Sequence, residues 1–352
     1  MNSYALVGDI GGTNARFALI DRKPDKKLDQ QAEAPQAGSN LLAVATLPCA
    51  DYDNIDEAIR SYLKDQSLDG VAQASLAFAC PVNKPDIVMT NNHWRFNKQA
   101  MRSAMGFERF AIVNDFTAMA LGVSVVRELG GDLLREVGAV DETAVSQSAP
   151  QLVIGPGTGL GVSALINVND EWLPLATEGG HTSFAPTTDH EVAMLKILLK
   201  KYGRVSIERL VSGSGLLNIY ECHAELAGEP ARYHSPADVT AAALGTDRTP
   251  NALALAALNH FCELLGRVAG DAVLTIGAFG GVHICGGIVP RMIDFFLASQ
   301  FRTAFEDKGR MAHLLKATPT YVVMDGLAGL RGAAAALSNP FIRSGSQVQP
   351  GL

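Results

Sequence analysis

Two glycine-rich turns and three short polar clusters hold the residues of this sequence whose types and spacing could do chemistry. The first turn is Gly8-Asp9-Ile10-Gly11-Gly12-Thr13-Asn14, between the apolar runs Tyr4–Val7 and Ala15–Ile20. The second is Gly155-Pro156-Gly157-Thr158-Gly159-Leu160-Gly161, between Gln151–Ile154 and Val162–Ile166. Aligning Thr13 with Thr158 also aligns both flanking runs, so one unit is used twice. Glycine at such a turn lets the backbone take positive φ and bring its N–H groups up to an anion. Two such turns, with Thr13 and Thr158 donating hydroxyl hydrogen bonds, suit a polyphosphate. Asp9 beside those phosphates makes sense only with a divalent cation between, and Mg²⁺, which keeps several waters and is shared with nucleotides, fits. Neither turn is a P-loop, since no Gly-Lys-Ser/Thr follows, nor a dinucleotide fingerprint, since each feeds a strand and not a helix.

Asp115 follows Asn114 at the junction of a short apolar strand, Phe110–Val113, and a helix, Phe116–Val126. Either residue could simply cap the helix. The same strand end is where α/β sheets hold ligands, and a carboxylate there can take the proton of an attacking hydroxyl in phosphoryl transfer. Beside the phosphate turns, the general-base role is the better reading. Glu178-Gly179-Gly180-His181 forms one tight turn that could aim a carboxylate and an imidazole at a single ligand. Such groups suit a polyhydroxylated substrate, whose hydroxyls both donate and accept. A lone histidine after paired glycines could equally be a satisfied structural residue. Glu208, in Val205–Arg209, reads either as an exposed helix residue or as a further hydroxyl ligand.

The elements that must position these residues alternate in a regular way. Ile55, Ala58, Ile59, Tyr62 and Leu63 recur at helical spacing, with Asp51 or Asp53 available as cap. Val71–Ala79 and Asp86–Thr90 read as strands, and Asn97–Met105 as a helix ended by Gly106. In the second half, hairpin strands run to Thr177. The helices Glu191–Tyr202 and Asn251–Ile276, the strands Gly281–Cys285 and Pro319–Met324, and the helix Ala328–Leu337 follow. Hairpins followed by alternating helices and strands, twice over, predict two α/β lobes with a cleft between them. The polar stretch Asp21–Gln30 reads as a solvated hairpin turn, and the tail Ser344–Leu352 as a frayed end.

The composition is that of a well-buried α/β protein, with 352 residues, 47% apolar and 18% charged. A net charge of −7 leaves no basic footprint for nucleic acid or anionic membrane. Cys49, Cys80, Cys222, Cys262 and Cys285 are scattered without paired spacing, which predicts reduced thiols and a cytoplasmic location. The first strand begins almost at once, so no signal peptide is expected, and His260, Glu263, Arg267 and Asp271 interrupt the long apolar stretch 251–289.

Together, Gly8–Asn14, Asn114-Asp115-Phe116-Thr117-Ala118, Gly155–Gly161 and Glu178–His181 resemble the bacterial glucokinase family. Phe279–Arg291 and Phe305-Glu306-Asp307-Lys308-Gly309-Arg310 extend the likeness, which runs from about Tyr4 to Ala335. It implies the duplicated actin-like ATPase (ribonuclease H-like) fold of hexokinases, with a small lobe of residues 1–125 plus about 328–352 and a large lobe of 126–327. It implies ATP and Mg²⁺ as cofactors, glucose as acceptor, a homodimer, and no nucleic acid or membrane partner. The family's sugar ligands fall on Asn114, Asp115, Glu178, His181 and Glu208, with Asn91 as a further candidate. Asp115 matches the base that deprotonates the sugar 6-hydroxyl. The ATP segments match Gly8, Asp9, Ile10, Gly11, Gly12 and Thr13, then Gly157, Thr158 and Gly159, then Gly286 and Gly287. No cysteine cluster like that of the zinc-binding repressor/sugar-kinase group is present, which points to the zinc-free glucokinases. The segments around 21–48 and 129–149 look longer than the family pattern. Two other readings on the same fold are weaker. A sugar-sensing regulator needs a DNA-reading module, and a phosphohydrolase has no use for Glu178, His181 and Glu208.

Overall fold

The computed structural model describes residues 3–22, 38, 40–138, 148–245, 249–343 and 346–347. The polar stretch expected as a solvated turn lies, beyond Arg22, outside the described residues. So does the tail expected to fray, apart from Ser346 and Gln347. The chain divides into two compact units, one of Met1–Leu134, Asn167–Ala176 and Asp325–Leu352, the other of Arg135–Ile166 and Thr177–Met324.

The first unit starts with strands β1 (Tyr4–Ile10), β2 (Asn14–Asp21) and β3 (Leu42–Pro48) and helix α1 (Ile55–Asp65). β4 (Gln73–Phe78), the short ladder β5 (Asp86–Val88) and β6 (Arg95–Asn97), α2 (Lys98–Met105), β7 (Arg109–Asn114) and α3 (Asp115–Leu129) follow. Its sheet runs β3-β2-β1-β4-β7, with β1 and β2 antiparallel and β4 and β7 parallel to β1. Ala5, Leu6 and Val7 are all buried, as a strand covered on both faces requires. The helical apolar spacing of α1 puts Ile55, Ala58, Ile59, Tyr62 and Leu63 inside. Its cap is Asn54, whose Oδ1 accepts the Glu57 N–H at 3.0 Å, and neither Asp51 nor Asp53 as expected. The Asp53 N–H is instead held by the Glu57 carboxylate at 2.9 Å.

The second part of the chain contains β8 (Leu134–Glu136), β9 (Gln151–Pro156), β10 (Leu160–Val168) and β11 (Glu171–Ala176). Helices α4 (Asp189–Tyr202), α5 (Gly213–Ala227), α6 (Pro236–Leu244) and α7 (Ala252–Ile276) lead to β12 (Val282–Ile284). Short helices α8 (Ile293–Leu297), α9 (Phe301–Glu306) and α10 (Ala312–Lys316) precede β13 (Thr320–Val323) and α11 (Ala328–Ala336). The strand order β10-β9-β12-β13 repeats β2-β1-β4-β7, antiparallel hairpin first and two parallel strands after. β8 lies beyond β13. α7 is long and apolar enough to cross a membrane by length and composition, yet Ala254, Leu258, Phe261, Leu265 and Val273 on it are buried in the core of its unit. All five cysteines are free and buried, so the scattered spacing does reflect unpaired thiols.

Two buried features tie helices together. In the second unit Glu191 of α4 takes both carboxylate oxygens to Arg267 Nη1 at 2.9 Å and receives His260 Nε2 at 3.0 Å, both from α7. Burial alone would raise this carboxyl; the hydrogen bonds from His260 and Arg267 outweigh it and hold Glu191 well below the usual range. In the first unit α3 and α11 cross at glycines. A Cβ on Gly332 would overlap the Ala118 carbonyl oxygen, and one on Gly122 the Ala328 carbonyl oxygen. Replacing Gly332 by alanine forces two backbones apart, an overpacking cost of about 1–3 kcal/mol or more. Urea denaturation of Gly332→Ala should show that loss as a lower midpoint, whereas Gly70→Ala, where no atom lies within 4 Å of the new methyl, should change little.

Candidate active site

In the first unit the parallel register of β1, β4 and β7 aligns Ile10, Phe78 and Asn114 across neighbouring strands. The carboxyl ends of all three strands therefore open on one sheet edge, and the predicted residues of this half gather there. Asn114 is half-buried at the end of β7 and is the N-cap of α3, its Oδ1 accepting from Phe116 N at 2.9 Å and Thr117 N at 3.3 Å. Asp115 is the first residue of that helix, half-exposed, with Oδ1 2.8 Å from Phe116 N. Asn114 caps the helix, and Asp115 follows it as the first helical residue.

The β1–β2 turn lies on the same edge. The Gly11 N–H bonds the Asn14 carbonyl at 2.9 Å, and Asn92 Nδ2 donates to the Gly11 carbonyl at 3.3 Å. Asn91 sits directly on Gly12, where a Cβ would come within 2.7 Å of the Asn91 Cβ. Thr13 is exposed. Gly8 and Ile10 are buried within β1, so Ile10 offers the edge only its backbone, and a Cβ on Gly8 would meet the Leu76 side chain at 2.7 Å.

Asp9 of this unit carries a perturbed carboxyl. Its carboxyl is raised above the ordinary aspartate range because burial opposes the charge, an effect the Arg16 guanidinium only partly offsets. The first turn of α11 presses on it, for a Cβ on Gly329 would lie 2.8 Å from Asp9 Oδ2. Arg16 itself is anchored on the Gly326 carbonyl at 2.6 Å.

In the second unit the β9–β10 turn is the hub. The Gly157 N–H bonds the Gly159 carbonyl at 2.8 Å, and Thr158 is exposed at the tip. Glu208 is neither an exposed helix residue nor distant from the turn. It lies half-buried in a 3-10 turn, Ile207–Arg209, with Oε2 accepting the Leu160 N–H at 2.9 Å. Its other oxygen is 4.0 Å from His181 Nδ1. Glu178 and His181 bracket a second 3-10 turn, Gly179–His181, closed by His181 N–H to the Glu178 carbonyl at 3.0 Å, and both side chains are exposed. Glu178, His181 and Glu208 thus surround one turn as acceptors and a switchable donor, the set that hydroxyl groups require. Gly286, at φ +86°, packs on the same turn, where a Cβ would meet the Pro156 carbonyl oxygen at 2.5 Å. Gly287 follows it with open space around its Cα.

The expectation that the turn glycines serve positive φ does not hold. Gly8, Gly11, Gly12, Gly155, Gly157, Gly159 and Gly161 all lie outside the positive-φ set, and among the candidate glycines only Gly286 needs that backbone. What several of them supply is room. A side chain on Gly12 would strike Asn91, one on Gly159 the Glu208 carboxylate, and one on Gly180 the Leu160 carbonyl.

One segment escaped the sequence reading. Ser212-Gly213-Ser214-Gly215 starts α5, and Gly213 N–H bonds the Gly157 carbonyl at 2.8 Å, which brings a helix N-terminus to the β9–β10 turn. Ser212 caps the helix through the Gly215 N–H at 3.0 Å and donates its hydroxyl to the Glu208 carbonyl at 2.7 Å. A serine cap ahead of the apolar run Leu216-Leu217 was the available signal.

A sequence profile of the Glucokinase family matches residues 6–340. The glucokinase of Marinobacter nauticus is 48% identical over 336 residues, 96% of this chain and 98% of that protein. That of Hahella chejuensis is 49% identical over 336 residues, covering 96% and 97% of the two chains. Among solved structures, a glucokinase from an Antarctic psychrotroph superposes with a TM-score of 0.81 at 33% identity, over 96% of this chain and all of that one. A ROK family glucokinase from Streptomyces griseus, in complex with glucose and AMPPNP, shares the fold at a TM-score of 0.60 and 17% identity, over 94% and 98% of the chains.

Asp9 yields a test that needs no substrate. Its folded pKa lies above the unfolded value of 3.8, so its stability contribution is full below that value and is lost as pH rises through the folded pKa. Asp9→Asn removes a charge that burial opposes. Its thermal midpoint should exceed that of the wild type at pH 7, and the difference should shrink as the pH falls towards 4.

Proposed function

The chain belongs to the Glucokinase family, and on that footing we propose that it transfers the γ-phosphate of ATP to the 6-hydroxyl of glucose, giving glucose 6-phosphate and ADP. The observation that carries the reading is Asp115 at the carboxyl end of β7, beside an asparagine that already caps α3. A base in that position removes the hydroxyl proton as the oxygen attacks phosphorus. Asn114, Asn91, Glu178, His181 and Glu208 are the proposed partners of the sugar hydroxyls. Gly8–Thr13, Gly157–Gly159 and Gly286–Gly287 are the proposed partners of ATP, and the first turn of α5 favours negative charge near Gly157.

Mg²⁺ suits the residues present. A carboxylate whose charge is opposed by burial, as that of Asp9 is, gains from a divalent cation, and it would hold the ion through water. The bound ion would neutralise charge on the transferring phosphoryl group. Gly329 keeps the space into which the Asp9 carboxylate projects. The two compact units are proposed as the small and large lobes of the enzyme. A cytoplasmic homodimer completes the reading, and five buried, unpaired cysteines support the reducing compartment.

The test is ADP release with ATP and Mg²⁺, measured with and without glucose, on the wild type and on Asp115→Asn. Release should depend on glucose, and the variant should lose about 10²–10⁴-fold or more in kcat while still binding the sugar. ADP release indifferent to glucose would indicate a phosphohydrolase instead, and a variant with near-normal kcat would remove Asp115 from the role of base.

A further inference from the structure

Three histidines far apart in sequence converge in the second unit, and none of them is among the residues assigned above to sugar or nucleotide. His190 stands in the first turn of α4, His223 on α5 and His260 on α7. One ring nitrogen of each can be chosen so that all three lie within 4.8 Å of one another. His223 Nε2 is already 3.2 Å from His260 Nδ1, and the His190 ring lies 4.7 Å from that of His223, centroid to centroid. We propose that His190, His223 and His260 bind a single divalent transition-metal ion, Zn²⁺ foremost.

The lone pairs are directed for it. Glu191, clamped by Arg267, can only accept, so the network assigns the His260 proton to Nε2, 3.0 Å from Glu191 Oε1. That leaves the His260 Nδ1 lone pair facing His223. A carboxylate behind a ligating imidazole fixes its tautomer and raises its basicity, the usual arrangement around protein-bound zinc. Zn–N bonds of about 2.0–2.1 Å put the nitrogens of a tetrahedral site about 3.3–3.4 Å apart. The His223–His260 pair, at 3.2 Å, is already close to that spacing. Its hydrogen bond would be exchanged for two metal bonds, with the His223 proton moving to Nδ1. His190 is exposed and makes ring contacts but no hydrogen bond with the described residues, so a side-chain rotation completes the set. Water would take the fourth position.

Three imidazoles select zinc, copper or nickel over Mg²⁺, which takes oxygen ligands, so the ion that accompanies ATP does not compete here. Nor does the site depend on the cysteine cluster this sequence lacks. An ion there would pin three helices of one unit together, among them α4, whose Glu191 and α7 contacts already form a buried knot.

The experiment uses the full chain without a polyhistidine tag, stripped with a chelator, and compares wild type with His190→Ala and His223→Gln. His190→Ala alters an exposed side chain and should keep the metal-free thermal midpoint and the basal kinase rate. Zn²⁺ equilibrium dialysis should give one ion per wild-type chain, with at least about 10-fold weaker binding in each variant, the smallest loss seen when the surroundings of a metal are altered. At 100 times the dissociation constant Zn²⁺ should raise the wild-type midpoint by roughly 3–4 °C. Co²⁺ in place of Zn²⁺ should show the intense visible bands of a tetrahedral site in the wild type alone. No stoichiometric binding by the wild type, or equal affinity in His190→Ala and His223→Gln, would overturn the proposal.

Discussion

The close crossing of α3 and α11 is the constraint on which the chemistry of the first unit depends. Gly122 faces the Ala328 carbonyl and Gly332 the Ala118 carbonyl, so each helix lays backbone directly against backbone. Contacts of this kind gain from dispersion and Cα–H···O attraction, but only while neither side chain intrudes. α3 begins at Asp115, and the first turn of α11 brings Gly329 against the Asp9 carboxylate. One packing decision therefore sets the positions of the proposed base and of the proposed cation-bearing carboxylate. A side chain at the crossing would move both, which is why the alanine-rich character of Ala328–Ala336 is more than helix propensity.

The same economy of space governs the turns. Glycine was expected there for its freedom of φ, yet the turn backbones stay at negative φ and the glycines serve as clearances. Gly12 leaves room for Asn91, and Gly159 for Glu208, whose carboxylate reaches past it to the Leu160 N–H. The distinction matters for mechanism. A glycine kept for φ fixes the path of the chain, whereas a glycine kept for space allows a neighbouring functional side chain to approach. Here the neighbours are themselves the candidate ligands, so turn and ligand are packed as one piece.

Much of this was legible in the residue pattern. The paired hairpins, the apolar stripe of α1, the asparagine start and Gly106 stop of α2, and the helix after Asn114 follow from local propensity and periodicity. Where choices were nearly degenerate, sequence alone erred. Asp51, Asp53 and Asn54 are all good caps, and only the structure shows the Asp53 N–H engaged by Glu57 and Asn54 left to cap. Glu208 was ambiguous because its role rests on a contact with Leu160, 48 positions away in the chain. The histidine cluster was invisible for the same reason. Its members sit on three helices, and no short spacing connects them.

The duplicated topology shows how one plan came to serve two purposes. β13 and α11 stand in the second copy where β7 and α3 stand in the first. Asp325 follows β13 much as Asn114 and Asp115 follow the core of β7, but it is committed to structure. It accepts the Leu327 N–H at 2.9 Å and pairs with Arg331 at 2.6 Å, with only 7% of its side chain exposed. At the corresponding place in the first copy an extra polar residue, Asn114, takes over the capping. The turns diverge in the same direction, for the position matching Asp9 is Ile154, fully buried in β9. Carboxylates that are neutralised or absent in one copy are left partly open in the other. A duplicated fold need keep its proposed acid–base chemistry on one sheet edge only, and the second copy is then free to supply the turn around which Glu178, His181 and Glu208 gather.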